Sequence, residues 1–140
     1  MILRLTKQFD FQMAHALRGY DGKCRNLHGH NYRLLVTIEG QTIENSSDAK
    51  NGMVMDFGDI RQVVTQYVIE PFDHALVVPQ GSPFEHIEGT KIIVSDFQPT
   101  CENLLIHFAH LLKGHMPVGI QLYSLRLYET ESSYAELFLD

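Results

Sequence analysis

Cysteine is scarce in this sequence: Cys24 and Cys101 are the only two among 140 residues. Two thiols make no disulfide framework, so both are expected to be free, in a reducing compartment. Long apolar runs are missing as well, and nothing approaches the roughly 18 apolar residues of a membrane-spanning helix. The opening MILRLTKQFDF carries charges inside its apolar run and does not read as a signal peptide. Basic charge is in deficit: 11 Lys and Arg against 17 Asp and Glu leave a net charge of −6. That balance argues against a nucleic-acid partner, which usually demands a basic face. A local group of Lys and Arg could still hold a phosphorylated small molecule. There is no Gly-rich dinucleotide fingerprint. What remains is a soluble, cytoplasmic chain of one domain, long enough for a core.

The apolar pattern predicts an α+β layer. Residues 2–15 and 31–40 read as strands, the second apolar, β-branched and ending at Gly40. Residues 41–52 are polar and end in glycine, as a loop or wide hairpin turn does. After Asp56, the spacing of Phe57, Ile60, Val63, Val64, Tyr67 and Val68 predicts a helix that stops before Pro71. Residues 71–98 read as irregular, with a short apolar piece at Ala75–Val78 and a strand at Lys91–Val94. A second helix is expected from Thr100, with Thr100 as N-cap, Glu102 in its first turn and Gly114 at C′. Residues 118–129 and 134–139 read as a closing strand pair. Strand–strand–helix–helix–strand–strand implies an antiparallel sheet with helices on one face. The two edges of such a sheet could be closed by neighbouring copies of the chain.

Histidine is plentiful, with eight residues, and three of them fall in phase. His28 and His30 flank Gly29, so in a strand both imidazoles point to one face. Phe9, Phe11, Met13 and His15 share one face of the preceding strand. Pairing the two strands would gather three imidazoles, a set suited to Zn²⁺ with an open fourth position. Cys24 lies between them, flanked by Lys23 and Arg25, cations that lower a thiol pKa. It reads as either a fourth ligand or a reactive thiol. Asp73 precedes His74, and a carboxylate bonded to an imidazole fixes its tautomer and raises its basicity. Glu129, at the end of a strand, could grip a planar donor edge with two parallel hydrogen bonds. Cys101 reads as structural, and His107, His110 and His115 as helix-surface residues.

The motifs Phe11-x-x-Ala14-His15, Cys24-x-x-x-His28-Gly29-His30-x-Tyr32, Gly52-Met53-Val54-Met55-Asp56-Phe57, Phe72-Asp73-His74, Pro99-Thr100-x-Glu102-Asn103 and Glu129-Thr130 occur in this order. In them the chain resembles the 6-pyruvoyl-tetrahydropterin synthase / 6-carboxy-tetrahydropterin synthase family over nearly its whole length. The resemblance implies the tunnelling fold (T-fold), a ββααββ unit closed into a barrel by oligomerisation, as a homohexamer made of two trimers. It implies Zn²⁺ on His15, His28 and His30, with Cys24 as a proton-transfer residue rather than a ligand. Asp73 and His74 would form a partnering pair presented across a subunit interface. Glu129 would anchor a pterin triphosphate by its amino-pyrimidinone edge, with Thr100 and Thr130 nearby. The three-residue gap between Cys24 and His28 resembles the bacterial 6-carboxy enzymes of queuosine biosynthesis more than the biopterin-pathway enzymes.

Two other readings compete. Cupin-type iron dioxygenases also use His-x-His, but they are nearly all-β and two helices are expected here. A zinc-stapled binding module would take Cys24 as its fourth ligand.

Overall fold

The computed structural model describes residues 1–20, 22 and 26–140. Alternation in the first two strands does most of the building. In β1 (Leu3–His15), Phe9, Phe11, Met13 and His15 turn inward while Gln8, Asp10 and Gln12 face out. In β2 (His28–Gly40), Tyr32, Leu34, Val36 and Ile38 turn inward. The strands pair antiparallel along their full length, with His15 opposite His28 and Met13 opposite His30. β2 therefore starts at His28, three residues before the predicted boundary, because the ligand-bearing segment is itself strand.

Asp56 caps the first helix, accepting the Gly58 N–H at 2.7 Å. α1 (Phe57–Val64) runs into a π-helical stretch, Thr65–Ile69, and then the short α2 (Glu70–Phe72). The predicted stop before Pro71 is thus overrun. Pro71 lies inside a helix that continues without a break, just after a π turn in which the Glu70 N–H reaches back to the Thr65 carbonyl; that wider turn accommodates its ring. α3 (Cys101–Lys113) begins as expected: the Thr100 hydroxyl accepts the Asn103 N–H at 3.2 Å. Gly114 is the C-cap with φ −79°, so it does not serve as a left-handed C′ glycine. Among the described residues, no helix is long and apolar enough to cross a membrane.

The closing pair is β5 (Gln121–Thr130) and β6 (Ser133–Phe138). The segment read as irregular holds the strand expected at Lys91–Val94, here β4 (Ile92–Ser95), and its short apolar piece forms a further strand, β3 (Ala75–Pro79). Among the described residues the sheet order is β4-β3-β1-β2-β5-β6. β3 runs parallel to β1, with Ala75 opposite Met13, and β4 runs parallel to β3. The sheet is therefore mixed and wider than the predicted four antiparallel strands. All five residues of β3 are buried, which is why it reads as a short apolar run without alternation.

One face of the sheet carries the core. Phe11, Leu34, Val36 and Leu125 pack there with Ile60, Val64, Leu104 and Phe108 from the helices. The other face is polar and cross-braced: Arg4 pairs with Glu39, Thr6 with Thr37 and Asp10 with Arg33, each directly opposite in register.

Candidate metal centre

The pairing that buries Phe11 and Met13 also sets His15 against His28 at the end of the sheet. His15 is 1% exposed. Its Nδ1 lies 2.7 Å from the Pro99 carbonyl, just before α3. The His28 Nδ1 lies 2.7 Å from the Asn26 carbonyl. A carbonyl only accepts, so both Nδ1 atoms carry the proton and both Nε2 atoms present a lone pair. Those two Nε2 atoms are 2.9 Å apart. Two lone pairs at that distance repel unless a cation sits between them.

The His30 Nε2 is buried and has no hydrogen-bond partner, although it lies 3.0 Å from the Glu129 Oε1. The same carboxylate oxygen is 3.5 Å from the His15 Nε2. All four donor atoms lie within 4.8 Å of one another. Four donors placed tetrahedrally at about 2.0–2.1 Å from one ion would be about 3.3 Å apart. Three of the six separations, 2.9, 3.0 and 3.5 Å, fall around that edge, and the others stay within 4.8 Å. Burial pushes the His15 pKa down to about 4, against the Pro99 bond and with help from His28 and His30. Burial also lowers that of His30, against the pull of Glu129. Both imidazoles are therefore neutral at pH 7, as a metal ligand must be. An orphaned buried nitrogen, opposed lone pairs and a shared carboxylate all fit a divalent ion, and these residues could hold one.

The other expected site residues divide between the two faces. Cys24 lies outside the described residues. Thr100 follows Pro99, and its hydroxyl is engaged in capping α3. Glu129, expected as a substrate anchor, has its carboxylate inside the histidine cluster. Thr130 instead lines a groove of about 870 Å³ on the polar face, together with Arg33, Asn31, Asp73 and His74. Asp73 and His74 are joined as expected, with Nδ1 3.0 Å from Oδ1. They sit at the corner between α2 and β3, against Gln12, which faces away from His15. Burial acts to raise the Asp73 pKa, but the Gln12 N–H and the His74 and Lys91 charges hold it below the usual value. His74 has φ +62°, and among the described residues it is the one non-glycine in the left-handed region. The sequence gives no warning of that conformation, which in a functional residue is a recognised place for stored strain.

Cys101 is buried and donates to the Leu127 carbonyl at 3.3 Å. Burial pushes its thiol up to about 11, so it is inert as a nucleophile. His107 departs from the expected helix surface: it is half-buried between Phe72 and Phe97, at ring distances of 5.8 and 5.0 Å. His115 packs on Tyr67 at 3.7 Å.

The sequence matches the family model described as 6-pyruvoyl tetrahydropterin synthase over residues 4–139. The chain belongs to this family. A relative from Haemophilus influenzae named 6-carboxy-5,6,7,8-tetrahydropterin synthase is 37% identical, across 96% of this chain and 98% of its own. The human 6-pyruvoyl tetrahydrobiopterin synthase is 30% identical across 80% of this chain and 68% of its own. The solved Caenorhabditis elegans 6-pyruvoyl tetrahydropterin synthase superposes with a TM-score of 0.71 at 26% identity, across 100% of this chain and 97% of its own. The expected T-fold thus matches tetrahydropterin synthase structures, whose named members are lyases.

Proposed function

We propose that this protein converts 7,8-dihydroneopterin triphosphate to 6-carboxy-5,6,7,8-tetrahydropterin, releasing acetaldehyde and triphosphate, as a step of 7-deazaguanine (queuosine) biosynthesis. The observation that carries the chemistry is the convergence of the His15, His28 and His30 imidazoles with Glu129. The choice of product is supported by relatives of that name at 34–37% identity over nearly the full chain. The short Cys24-to-His28 spacing points the same way.

In this reading His15, His28 and His30 hold Zn²⁺, which supplies Lewis acidity toward the substrate's side-chain hydroxyls. Glu129 accepts two hydrogen bonds from the amino-pyrimidinone edge of the pterin, and Thr100 and Thr130 flank it. Cys24, as thiolate, and His74, oriented by Asp73, move protons between ring and side chain. The His74 corner opens on the polar-face groove with Asn31 and Arg33, and a smaller cleft brings it alongside His30. As the family resemblance implies, the pair serves a neighbouring copy, in a cytoplasmic homohexamer of two trimers.

Mass analysis of the products from 7,8-dihydroneopterin triphosphate tests the reaction. A carboxylated tetrahydropterin with acetaldehyde is expected; a pyruvoyl product would move the protein to the biopterin branch. Mixing tests the sharing of sites. His74→Ala and Glu129→Ala are each expected to be inactive alone, and co-refolded subunits should regain part of the activity. No recovery in mixed oligomers would refute a shared site. In Glu129→Gln, zinc content should hold while pterin affinity falls; lost zinc would instead make Glu129 a ligand.

A further inference from the structure

The peptide unit between Asp73 and His74 is gripped at both ends. Its N–H, on His74, donates to the Gln12 carbonyl at 2.6 Å. Its C=O, on Asp73, accepts from the Lys91 Nζ at 3.1 Å. The plane of this peptide sets the φ of His74, the left-handed +62° noted above. A histidine gains nothing by itself from that conformation, in which the Cβ of an L-residue is crowded by the backbone. It must be imposed from outside. Gln12 does part of this, since its own N–H also donates to the Asp73 Oδ1 at 3.0 Å. Lys91 does the rest. The same ammonium donates to the Glu70 carbonyl at 2.6 Å, tying down the last turn of the helix that delivers Asp73. Lys91 is itself fixed to the sheet, because its carbonyl accepts the Leu76 N–H at 2.8 Å. One side chain thus links the helix end, the corner peptide and the β3–β4 edge.

We infer that Lys91 is a positioning residue for the Asp73–His74 pair: its ammonium, bonded to the Glu70 and Asp73 carbonyls, holds the corner peptide in the orientation that aims the His74 imidazole. In this role Lys91 acts through the corner peptide, with its ammonium bonded to the Glu70 and Asp73 carbonyls. Its effect passes through the geometry of His74, so it belongs to kcat and not to substrate or metal binding. This role deepens the proposed function and rests on His74 being a proton-transfer residue.

The test uses the full-length, zinc-loaded protein. Lys91→Met keeps the length of the stem and removes the donors. Misplacing a catalytic group by about 1 Å can cost on the order of a hundredfold, so kcat should fall about ten- to a hundredfold with KM within about twofold. Zinc content should match the parent, with turnover measured well below the melting temperature of each variant. Lys91→Arg can still donate to two carbonyls and should recover most of the lost kcat. Lys113→Met, an exposed lysine on α3, should match the parent. An unchanged kcat in Lys91→Met, with His74→Ala inactive, overturns the role of Lys91 and leaves the pair intact. A parallel loss of kcat, KM and zinc in Lys91→Met, not recovered by Lys91→Arg, overturns it in favour of a merely structural lysine. A fully active His74→Ala overturns the reading of the pair, and Lys91 with it.

Discussion

His15 shows how a single side chain can be poised by burial. Its neutral form is favoured in the folded state, with a pKa of about 4 against 6.5 for a free imidazole. Between those values the unfolded chain binds more protons than the folded one, so stability rises with pH. The contribution is complete above 6.5 and is lost as pH falls toward 4. Metal-free protein should therefore melt at a lower temperature at pH 5 than at pH 7.5. His15→Asn should reduce that difference; an equal difference in the variant would remove His15 as its source. The two thiols present the opposite contrast. Cys101 is buried and pushed up to about 11, whereas Cys24 has cationic sequence neighbours. Cys24→Ala should keep zinc and pterin binding and lose turnover, measured by metal analysis, titration and product formation. Full activity in that variant would end the proposed role of the thiol.

The elements make a stability argument of their own. Phe108 is fully buried in α3, with its ring 5.0 Å from Phe72 and 6.0 Å from Phe11, so it joins both helical segments to the sheet. Phe108→Ala should cost about 3–5 kcal/mol in denaturant unfolding. Thr100 carries two possible roles that one substitution pair separates. Thr100→Ala removes a cap worth about 1 kcal/mol, whereas Thr100→Ser keeps it. Loss of pterin affinity in both would assign the residue to the substrate; loss of stability in Thr100→Ala alone would assign it to α3. Much at this scale is legible in the sequence. Period-two burial gives β1 and β2, and with them the histidine cluster. Asp56 and Thr100 announce their helices because a capping side chain is a local interaction. The strand near Lys91–Val94 is legible but its parallel pairing is not, because no turn signals it, and β3 is hidden because a strand buried on both sides lacks alternation. Pro71 misleads because the π turn that admits it follows from packing. The approach of Glu129 to His30 depends on the β2–β5 register, which sets Arg33 opposite Tyr128 and which a linear pattern does not encode.

At the scale of the molecule, the sheet ends in two strands, β4 and β6, each with one side unpaired among the described residues. Val94 on β4 and Tyr134 and Phe138 on β6 are exposed there. Open edges bearing apolar side chains are normally covered. Sedimentation of the protein should give a multiple of three subunits, and a monomer at micromolar concentration would contradict the barrel. The connection between the two longest strands has a kinetic consequence. Residues 16–27 join β1 to β2, too long a link for a tight turn to dictate which residues face each other. A slip of two residues would keep every side chain on its proper face, so burial discriminates weakly against it. It would also part His15 from His28. An ion that binds only when those two rings meet selects the correct alignment while the chain is still searching. Refolding with zinc present should therefore yield native protein faster than refolding in chelator, and the slow species trapped in chelator should be misaligned hairpins that zinc added later rescues only after they reopen.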